Sequence, residues 1–236
     1  MEEGLVFLPG LMCDARIFMA QLADLSRDHS VTVAPITRGE RIEEIASNIL
    51  DTLPQKFALC GLSMGGIVAM EILRRAPDRI TRLALMDTNP LAETPQSASA
   101  YEPMIVGARA GRLNQVLLKI LGPEHLAPTP HRMAIMSLLE EMAAGLGPEV
   151  FIRQVRALQR RRDQQATLRR CKVPTLVLCG EQDTLTPLKR HSFMAELIPN
   201  AELRVVADAG HLPVLEQPEV VNDAIRDWLR KPLVSH

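Results

Sequence analysis

The chain has 236 residues, a length typical of a single α/β domain that carries a large insertion. Its 27 lysine and arginine residues are balanced by 28 aspartate and glutamate residues, and a net charge of −1 gives no electrostatic reason to bind nucleic acid or an anionic membrane. Hydrophobic residues make up 47% of the chain and aromatic residues 3%, which excludes a disordered protein and an aromatic surface for stacking bases.

The cysteines and the N-terminal sequence bear on where the protein works. The four cysteines show no CxxC spacing, and Cys60 and Cys179 lie in apolar runs. The first ten residues, MEEGLVFLPG, are acidic where a secretory signal is basic. No uncharged apolar stretch reaches the ~18 residues that a membrane span needs. We therefore expect a reducing, cytoplasmic location and no membrane partner.

Six short apolar runs, each bounded by turn residues, are predicted to be buried strands. They are continuously apolar, which is typical of a parallel sheet covered on both faces, and helical patterns separate most of them. The sequence therefore predicts an α/β fold with a doubly wound, mostly parallel sheet of about six strands. The predicted strands cover residues 5–8, 31–34, 57–60, 83–86, 175–179 and 203–206, and the predicted covering helices residues 17–25, 42–53, 67–75 and 220–229.

The strand pattern stops between Thr88 and Arg170, where short helical patterns alternate with proline and glycine breaks. A helical block inserted between two strands of one sheet cannot cover both of its faces. We therefore expect a core made of residues 1–87 and 171–236, with an all-helical lid, residues 88–170, above the strand ends.

The strongest motif is Gly61-Leu62-Ser63-Met64-Gly65, which lies between a predicted strand and a predicted helix. A serine on such a tight strand-to-helix turn has a strained backbone, and the glycines on either side avoid clashes where strand and helix close together. In a chain of this composition the pattern is expected by chance only roughly 0.03 times. Ser63 is therefore the predicted nucleophile.

A serine nucleophile needs a base, and the base needs an acid that orients it. Among the six histidines, His211 follows the last predicted strand, so it lies at the carboxyl edge where doubly wound folds place ligands. Asp183 follows the preceding strand at the same edge and is the preferred acid. Asp87 is the alternative acid, although its position just before the insertion suits an anchor for the first turn of that insertion. Asp208 is less favoured because it is too near His211 in the chain.

The oxyanion of an acyl-transfer reaction needs two backbone N–H donors aimed at one point. The N–H of Met64, the residue after the nucleophile, is one predicted donor, and the loop after the first strand supplies the other. Gly10 lets that loop turn tightly. We favour the N–H of Leu11 and keep Met12 as the alternative donor, and Met12 is also expected to contact the substrate.

Together these motifs resemble the α/β-hydrolase fold serine hydrolases, in particular the lidded esterase- and lactonase-like family. The segments FLPGL, GLSMGG, VPTLVLCGEQDTLTP and AGHLPVLEQP occur in the family's order, so the resemblance covers nearly the whole chain outside the lid. It implies a catalytic triad of Ser63, Asp183 and His211. The sequence departs from the family in two ways. Pro9 stands where many relatives have a histidine that often braces the oxyanion loop, and the sequence starts at what would be the third strand, which predicts a six-stranded sheet.

The predicted triad favours hydrolysis of a carboxylic ester through an acyl-enzyme, and the aliphatic, methionine-rich lid favours a small to medium, mainly apolar acyl group. A lactone, a thioester or a C–C bond is the alternative substrate of the same triad, and a non-catalytic ligand receptor is a less favoured class. The sequence implies no cofactor, and no metal because no two histidines have ligand spacing. We expect a small-molecule ester substrate, no nucleic acid partner, and a monomer or homodimer. The arginines at positions 160–162 are expected to form a solvated helical face.

Overall fold

A single sheet of six strands forms the centre of the protein in a computed structural model, which describes residues 3–233. The strands are β1, Gly4–Leu8; β2, Val31–Val33; β3, Phe57–Leu62; β4, Ile80–Met86; β5, Thr175–Gly180; and β6, Ala201–Val206. Their order is β2-β1-β3-β4-β5-β6, and every neighbouring pair is parallel. The predicted doubly wound sheet of six strands is confirmed.

The continuously apolar strands occupy the middle of this sheet. Every residue of β3 and of β5 is buried, which is why the sequences FALCGL and TLVLCG show no polar alternation. The edge strand β6 is half-buried or exposed up to its last residue, Val206. The ends of β3, β4 and β5 therefore meet in the interior of the molecule, where side chains can be shielded from water.

The described residues also form twelve α-helices, and none of these is long and apolar enough to cross a membrane. The predicted covering helices are present with shifted ends, and α3 begins directly after Ser63 instead of at residue 67. The helices are α1, Met19–Leu25; α2, Ile42–Leu50; α3, Met64–Arg75; α4, Pro95–Ser99; α5, Glu102–Arg109; α6, Leu113–Ile120; α7, Arg132–Leu146; α8, Pro148–Gln159; α9, Gln165–Arg169; α10, Leu188–Leu197; α11, Pro213–Glu216; and α12, Pro218–Leu229.

Helices cover both faces of the sheet, and alternate residues of each strand face opposite layers. Val6 and Leu8 of β1 belong to the core that contains residues of α2, α3 and α10, whereas Leu5 and Phe7 belong to the core that contains residues of α1 and α12. Trp228 of α12 is 1% exposed. Two hydrophobic cores therefore hold the sheet between them.

The segment between β4 and β5 contains the six helices α4 to α9 and no strand, in agreement with the predicted helical block. It has a small hydrophobic cluster of its own, in which Ile105, Phe151 and Val155 pack with Met12 of the loop after β1. The insertion is thus packed against the carboxyl edge of the sheet.

The arginines 160–162 directly follow the end of α8, and the side chains of Arg160 and Arg162 are 43% and 52% exposed. The outer two pair with glutamates in α2 or just before it, at 3.3 and 3.9 Å. The side chain of Arg161 is 10% exposed and pairs with Glu93 at 2.8 Å. The predicted solvated face therefore holds for the outer two and fails for Arg161, because a local charge pattern carries no information about partners distant in sequence.

Gly180, the last residue of β5, approaches the loop that carries His211 so closely that a side chain would not fit. A Cβ atom built there would lie 1.9 Å from the carbonyl oxygen of Gly210 and 2.5 Å from that of Ala209. Both neighbours are backbone atoms, so the clash cannot be relieved by a change of rotamer.

We expect Gly180→Ala to lower the free energy of unfolding by at least about 2 kcal/mol, because overpacking against backbone forces strands and loops apart. Gly4→Ala is the matched control, since a Cβ there meets nothing within 4 Å. It should change stability by less than about 0.5 kcal/mol. Urea unfolding monitored by circular dichroism measures both, and equal stability of the two variants would contradict the expectation.

Candidate active site

Ser63 lies on the turn between β3 and α3 with φ +54° and ψ −118°. A positive φ costs a residue with a Cβ atom about 1–3 kcal/mol, so the surrounding structure must hold it in place. A Cβ atom on Gly61 would lie 2.4 Å from the carbonyl oxygen of Gly65, and one on Gly65 would lie 2.2 Å from that of Leu8. The two glycines of the motif are therefore required by the close approach of β1, β3 and α3.

The end of β4 supports this strained turn. The N–H of Ser63 donates to the carbonyl oxygen of Met86 at 2.9 Å, and the Thr88 hydroxyl donates to the carbonyl oxygen of Ser63 at 2.7 Å. The N–H of Gly66 also donates to that oxygen, at 2.9 Å. These hydrogen bonds fix the backbone on both sides of the Ser63 side chain.

The structure brings together Ser63, His211 and Asp183, which lie up to 148 residues apart in the chain. The Oγ of Ser63 is 2.9 Å from Nε2 of His211, and Nδ1 of His211 is 2.9 Å from Oδ2 of Asp183. A carboxylate only accepts, so Nδ1 carries the proton, and Nε2 is free to accept from the Ser63 hydroxyl. The side chains of His211 and Asp183 are almost completely buried.

Several hydrogen bonds keep Asp183 ionised. Its Oδ1 accepts the N–H groups of Leu185 and Thr186 at 2.9 Å, and its Oδ2 accepts the Thr186 hydroxyl at 2.6 Å. Burial alone would favour the neutral acid, but the hydrogen bond and charge of His211, together with the Thr186 hydroxyl, hold the pKa of Asp183 well below its ordinary value. The imidazole of His211 therefore faces a permanent negative charge.

Asp87 lies behind Asp183 and does not contact His211 through a hydrogen bond. It does not anchor the insertion, because its Oδ1 accepts the N–H of Gly180 at 2.9 Å. Among the described residues no N–H or O–H donor reaches its Oδ2. Burial and the neighbouring charge of Asp183 raise the pKa of Asp87 well above its ordinary value, which favours its neutral form.

Two residues that sequence reasoning missed hold the elements of the site. The first is Glu216, which is 5% exposed and accepts the N–H groups of Gly210 at 2.9 Å, Leu212 at 2.9 Å and Ala127 at 2.6 Å. It thereby fixes the loop on both sides of His211 and joins that loop to the insertion. Its position in the apolar segment PVLEQP is the one sequence signal that pointed to a buried carboxylate.

The second missed residue is His191, which looked like part of a polar helix and is completely buried. Its Nε2 accepts the N–H of Thr88 at 3.0 Å, so the ring is neutral with its proton on Nδ1, 3.3 Å from the carbonyl oxygen of Pro187. Desolvation lowers the pKa of His191 to about 4, against the opposing effects of the Pro187 carbonyl and the Asp183 charge. His191 thus fixes the segment that supports Ser63.

The loop after β1 forms a tight turn beside Ser63. The N–H of Cys13 donates to the carbonyl oxygen of Gly10 at 3.1 Å, and Met12 has φ +55°. The N–H of Met12 donates to Oε1 of Gln154 at 2.9 Å, whereas the N–H groups of Leu11 and Met64 have no acceptor within residues 3–233. Of the two donors predicted in this loop, the N–H of Leu11 is the one left available.

A cavity of about 310 Å³ opens between these groups and the insertion. Ser63, His211, Leu11, Met12 and Met64 line it from the sheet edge. Its opposite wall is mainly aliphatic, with a polar region where Arg161 pairs with Glu93. The wall residues from the insertion are Thr88, Asn89, Glu93, Tyr101, Asn114, Leu117, Leu118, Ile120, Leu121, Met136, Leu139, Glu140, Ala143, Leu158 and Arg161.

One cluster of side chains within residues 3–233 has the composition of a metal site. Ligand atoms of Asp87, Asp183 and His211 lie within 4.8 Å of one another. However, both oxygens of Asp183 already accept hydrogen bonds, and Oδ1 of Asp87 accepts the N–H of Gly180. These hydrogen bonds account for the cluster as part of the triad and its support.

Known proteins resemble this chain over most of its length. A model of the alpha/beta hydrolase family matches residues 5–224. A pimeloyl-[acyl-carrier protein] methyl ester esterase of Aromatoleum aromaticum is 30% identical over 212 residues, which cover 82% of this chain and 82% of that protein. A 2-hydroxymuconate semialdehyde hydrolase of Pseudomonas putida is 28% identical over 82% of this chain and 69% of that protein. A solved thermophilic esterase from Thermogutta terrifontis has a TM-score of 0.87 and 28% identity, over 98% of this chain and 90% of that one.

The neutral, buried His191 predicts a pH dependence of stability. The unfolded chain binds a proton at this residue below about pH 6.5, whereas the folded chain does so only near pH 4, so acid favours unfolding between these values. From pH 7 to pH 5 we expect His191 to account for a fall of about 2 kcal/mol in the free energy of unfolding. Urea unfolding at both pH values should show a smaller fall for His191→Gln, which keeps an acceptor for the Thr88 N–H. The same fall in wild type and variant would contradict this assignment.

Proposed function

Since the chain belongs to the alpha/beta hydrolase family, we propose that it is a serine hydrolase that cleaves the carboxylic ester of a small to medium, mainly apolar acyl substrate. The observation that carries the proposal is the hydrogen-bonded chain from Ser63 through His211 to Asp183, which ends at a cavity. A buried imidazole between a hydroxyl and an ionised carboxylate is an arrangement suited to nucleophilic attack on a carbonyl carbon.

The reaction begins when the Ser63 oxygen attacks the ester carbonyl while Nε2 of His211 takes the hydroxyl proton. The negative charge that develops on the carbonyl oxygen is accepted by the N–H groups of Leu11 and Met64. The imidazolium then gives its proton to the leaving alcohol, which leaves an acyl-enzyme. A water molecule, deprotonated in the same way by His211, releases the carboxylic acid and restores Ser63.

Asp183 is the acid of the triad in this mechanism. Its low pKa keeps it ionised, so it stabilises the imidazolium formed in each half of the reaction and holds Nδ1 in the protonated tautomer. Asp87 lies behind the Asp183 carboxylate, and its raised pKa favours a neutral acid that supports Asp183 and takes no part in proton transfer.

The insertion, residues 88–170, acts as the lid of the site. It supplies the mainly aliphatic wall of a cavity of about 310 Å³, a size suited to a short or medium acyl chain. Met12 lines this cavity and contacts the acyl group. The charges of the Arg161–Glu93 pair cancel, and Glu140 is the further charged residue of the wall, so an anionic acyl group is disfavoured.

The groups of this mechanism all belong to the chain, so the proposed reaction needs a small-molecule ester and water and no cofactor. The four cysteines are buried free thiols, a state typical of a reducing compartment, and this supports a cytoplasmic location. The same triad also suits a lactone, a thioester or a C–C bond, and the similar 2-hydroxymuconate semialdehyde hydrolase makes the last of these the second candidate.

A fluorophosphonate probe and a substrate panel test this proposal. We expect the wild type to be labelled covalently and to hydrolyse p-nitrophenyl butyrate faster than matched lactones, acyl thioesters and a vinylogous 1,5-diketone. Ser63→Ala should lose the label and lower kcat by roughly 10³-fold or more. The exposed Ser137→Ala on α7 is the control and should retain both. Undiminished labelling of Ser63→Ala would exclude Ser63 as the nucleophile.

A second test separates the two aspartates. Asp183→Asn should lower kcat by roughly 10³- to 10⁴-fold, because an amide does not hold the required imidazole tautomer. Asp87→Asn should cost less than about tenfold, because its amide can still accept from Gly180 as the neutral acid does. The measurement is ester hydrolysis under saturating substrate, and the reverse ranking would assign the acid to Asp87.

A further inference from the structure

We propose that Gln154, on helix α8 of the insertion, is a positioning residue that orients the N–H of Leu11 toward the oxyanion. The proposal rests on the function proposed above, because it concerns the donor that stabilises the tetrahedral intermediate. It gives the insertion a part in catalysis beyond covering the cavity.

Two adjacent peptide planes define the turn after β1. The plane between Gly10 and Leu11 carries both the Leu11 N–H and the Gly10 carbonyl, and this carbonyl accepts the N–H of Cys13 at 3.1 Å. The next plane, between Leu11 and Met12, carries the Met12 N–H. The Leu11 carbonyl of this second plane accepts only the weak thiol donor of Cys13, at 3.4 Å. Since ψ of Leu11 and φ of Met12 set whether the Cys13 N–H reaches Gly10, the bond that fixes the plane of the Leu11 N–H depends on how the second plane is held.

Gln154 holds this second plane. It is completely buried, its Oε1 accepts the Met12 N–H at 2.9 Å, and its Nε2 donates to the carbonyl oxygen of Ile36 at 3.1 Å. One partner is a donor and the other an acceptor, so only one orientation of the amide satisfies both. The hydrogen bond to Ile36 joins the amide to the loop that follows β2, so the side chain of Gln154 is held in the core.

The turn needs an external support of this kind. Met12 has φ +55°, a conformation that glycine adopts easily and methionine does not. Pro9 has neither a backbone N–H nor a polar side chain with which to brace the turn from within. Without Gln154 the buried N–H of Met12 would have no acceptor, and rotation of the Leu11–Met12 plane to find one would strain the hydrogen bond from Cys13 to Gly10 that fixes the plane of the Leu11 N–H.

The test compares Gln154→Met with a matched control. Gln154→Met keeps the length of the side chain and removes the amide. Gln164→Met makes the same change at another buried glutamine of the insertion, whose amide bonds to Glu71 and Thr167 and not to the oxyanion loop. Each variant is assayed with p-nitrophenyl butyrate, and with a trifluoromethyl ketone that forms a tetrahedral adduct on Ser63. Thermal unfolding of each is measured in parallel.

We expect Gln154→Met to lower kcat by roughly 10- to 100-fold, less than the loss of a direct oxyanion donor, with KM changed by less than about threefold. The inhibition constant of the trifluoromethyl ketone should rise by the same factor as kcat/KM falls. Gln164→Met should keep kcat within about threefold of the wild type, even if its melting temperature falls as much as that of Gln154→Met. Gln154→Glu, whose protonated form can accept from Met12 and donate to Ile36, should recover most of the lost activity.

A kcat of Gln154→Met within threefold of the wild type, or an equal loss of kcat in Gln164→Met, would overturn the inference. If Gln154→Met does not fold, Gln154→Asn is held to the same criteria, because its shorter side chain cannot reach both partners. A wild type that neither reacts with a fluorophosphonate nor hydrolyses any ester would overturn the proposed function itself. An active wild type with an unimpaired Gln154 variant would overturn only the role of Gln154.

Discussion

The left-handed backbone of Ser63 is the constraint on which the rest of the site depends, because it presents the hydroxyl to His211 while strand β3 passes directly into helix α3. Its two principal supports, the Met86 carbonyl and the Thr88 hydroxyl, both belong to the end of β4. The pairing of β3 with β4, in which Leu62 lies opposite Met86, therefore sets the position of the nucleophile. A shift of this pairing by one residue would remove both hydrogen bonds at once.

Strain of the same kind recurs along this edge of the sheet. Within residues 3–233 the non-glycine residues with positive φ are Met12, Ser63, Asp87 and Asp208, which follow β1, β3, β4 and β6. Each such conformation costs about 1–3 kcal/mol and persists only where the surroundings determine it. For Met12 the determinant is Gln154, for Ser63 it is the end of β4, and for Asp87 it is the end of β5. Burial of the sheet thus contributes the folding stability that offsets the strain of these residues at the carboxyl ends of the strands.

The sequence predicted features that depend on neighbouring residues, and it failed where distant segments meet. The six strands and the turn at Ser63 could be predicted because apolar runs and glycine spacing are local properties. The sequence ranked Asp183 above Asp87 as the acid of the triad and did not decide between them. Both residues follow strands of the sheet, and only the folded loops decide which carboxylate reaches His211. The hydrogen bonds of Gln154 to Met12 and of His191 to Thr88 span 142 and 103 residues, and no periodicity encodes such pairs.

The three bonds accepted by Glu216 have a consequence for how proteins of this architecture can be recombined. One carboxylate orders the backbone on both sides of His211 and also holds Ala127, in the middle of the insertion. The insertion is therefore not an independent module. A chimaera that replaced it with the lid of another hydrolase would retain Ser63, Asp183 and His211, and yet leave a buried carboxylate short of one donor unless the backbone of the new lid placed an N–H where Ala127 has one. A lid exchange that is meant to change substrate preference must therefore keep the backbone N–H at position 127 as well as supply the new cavity wall.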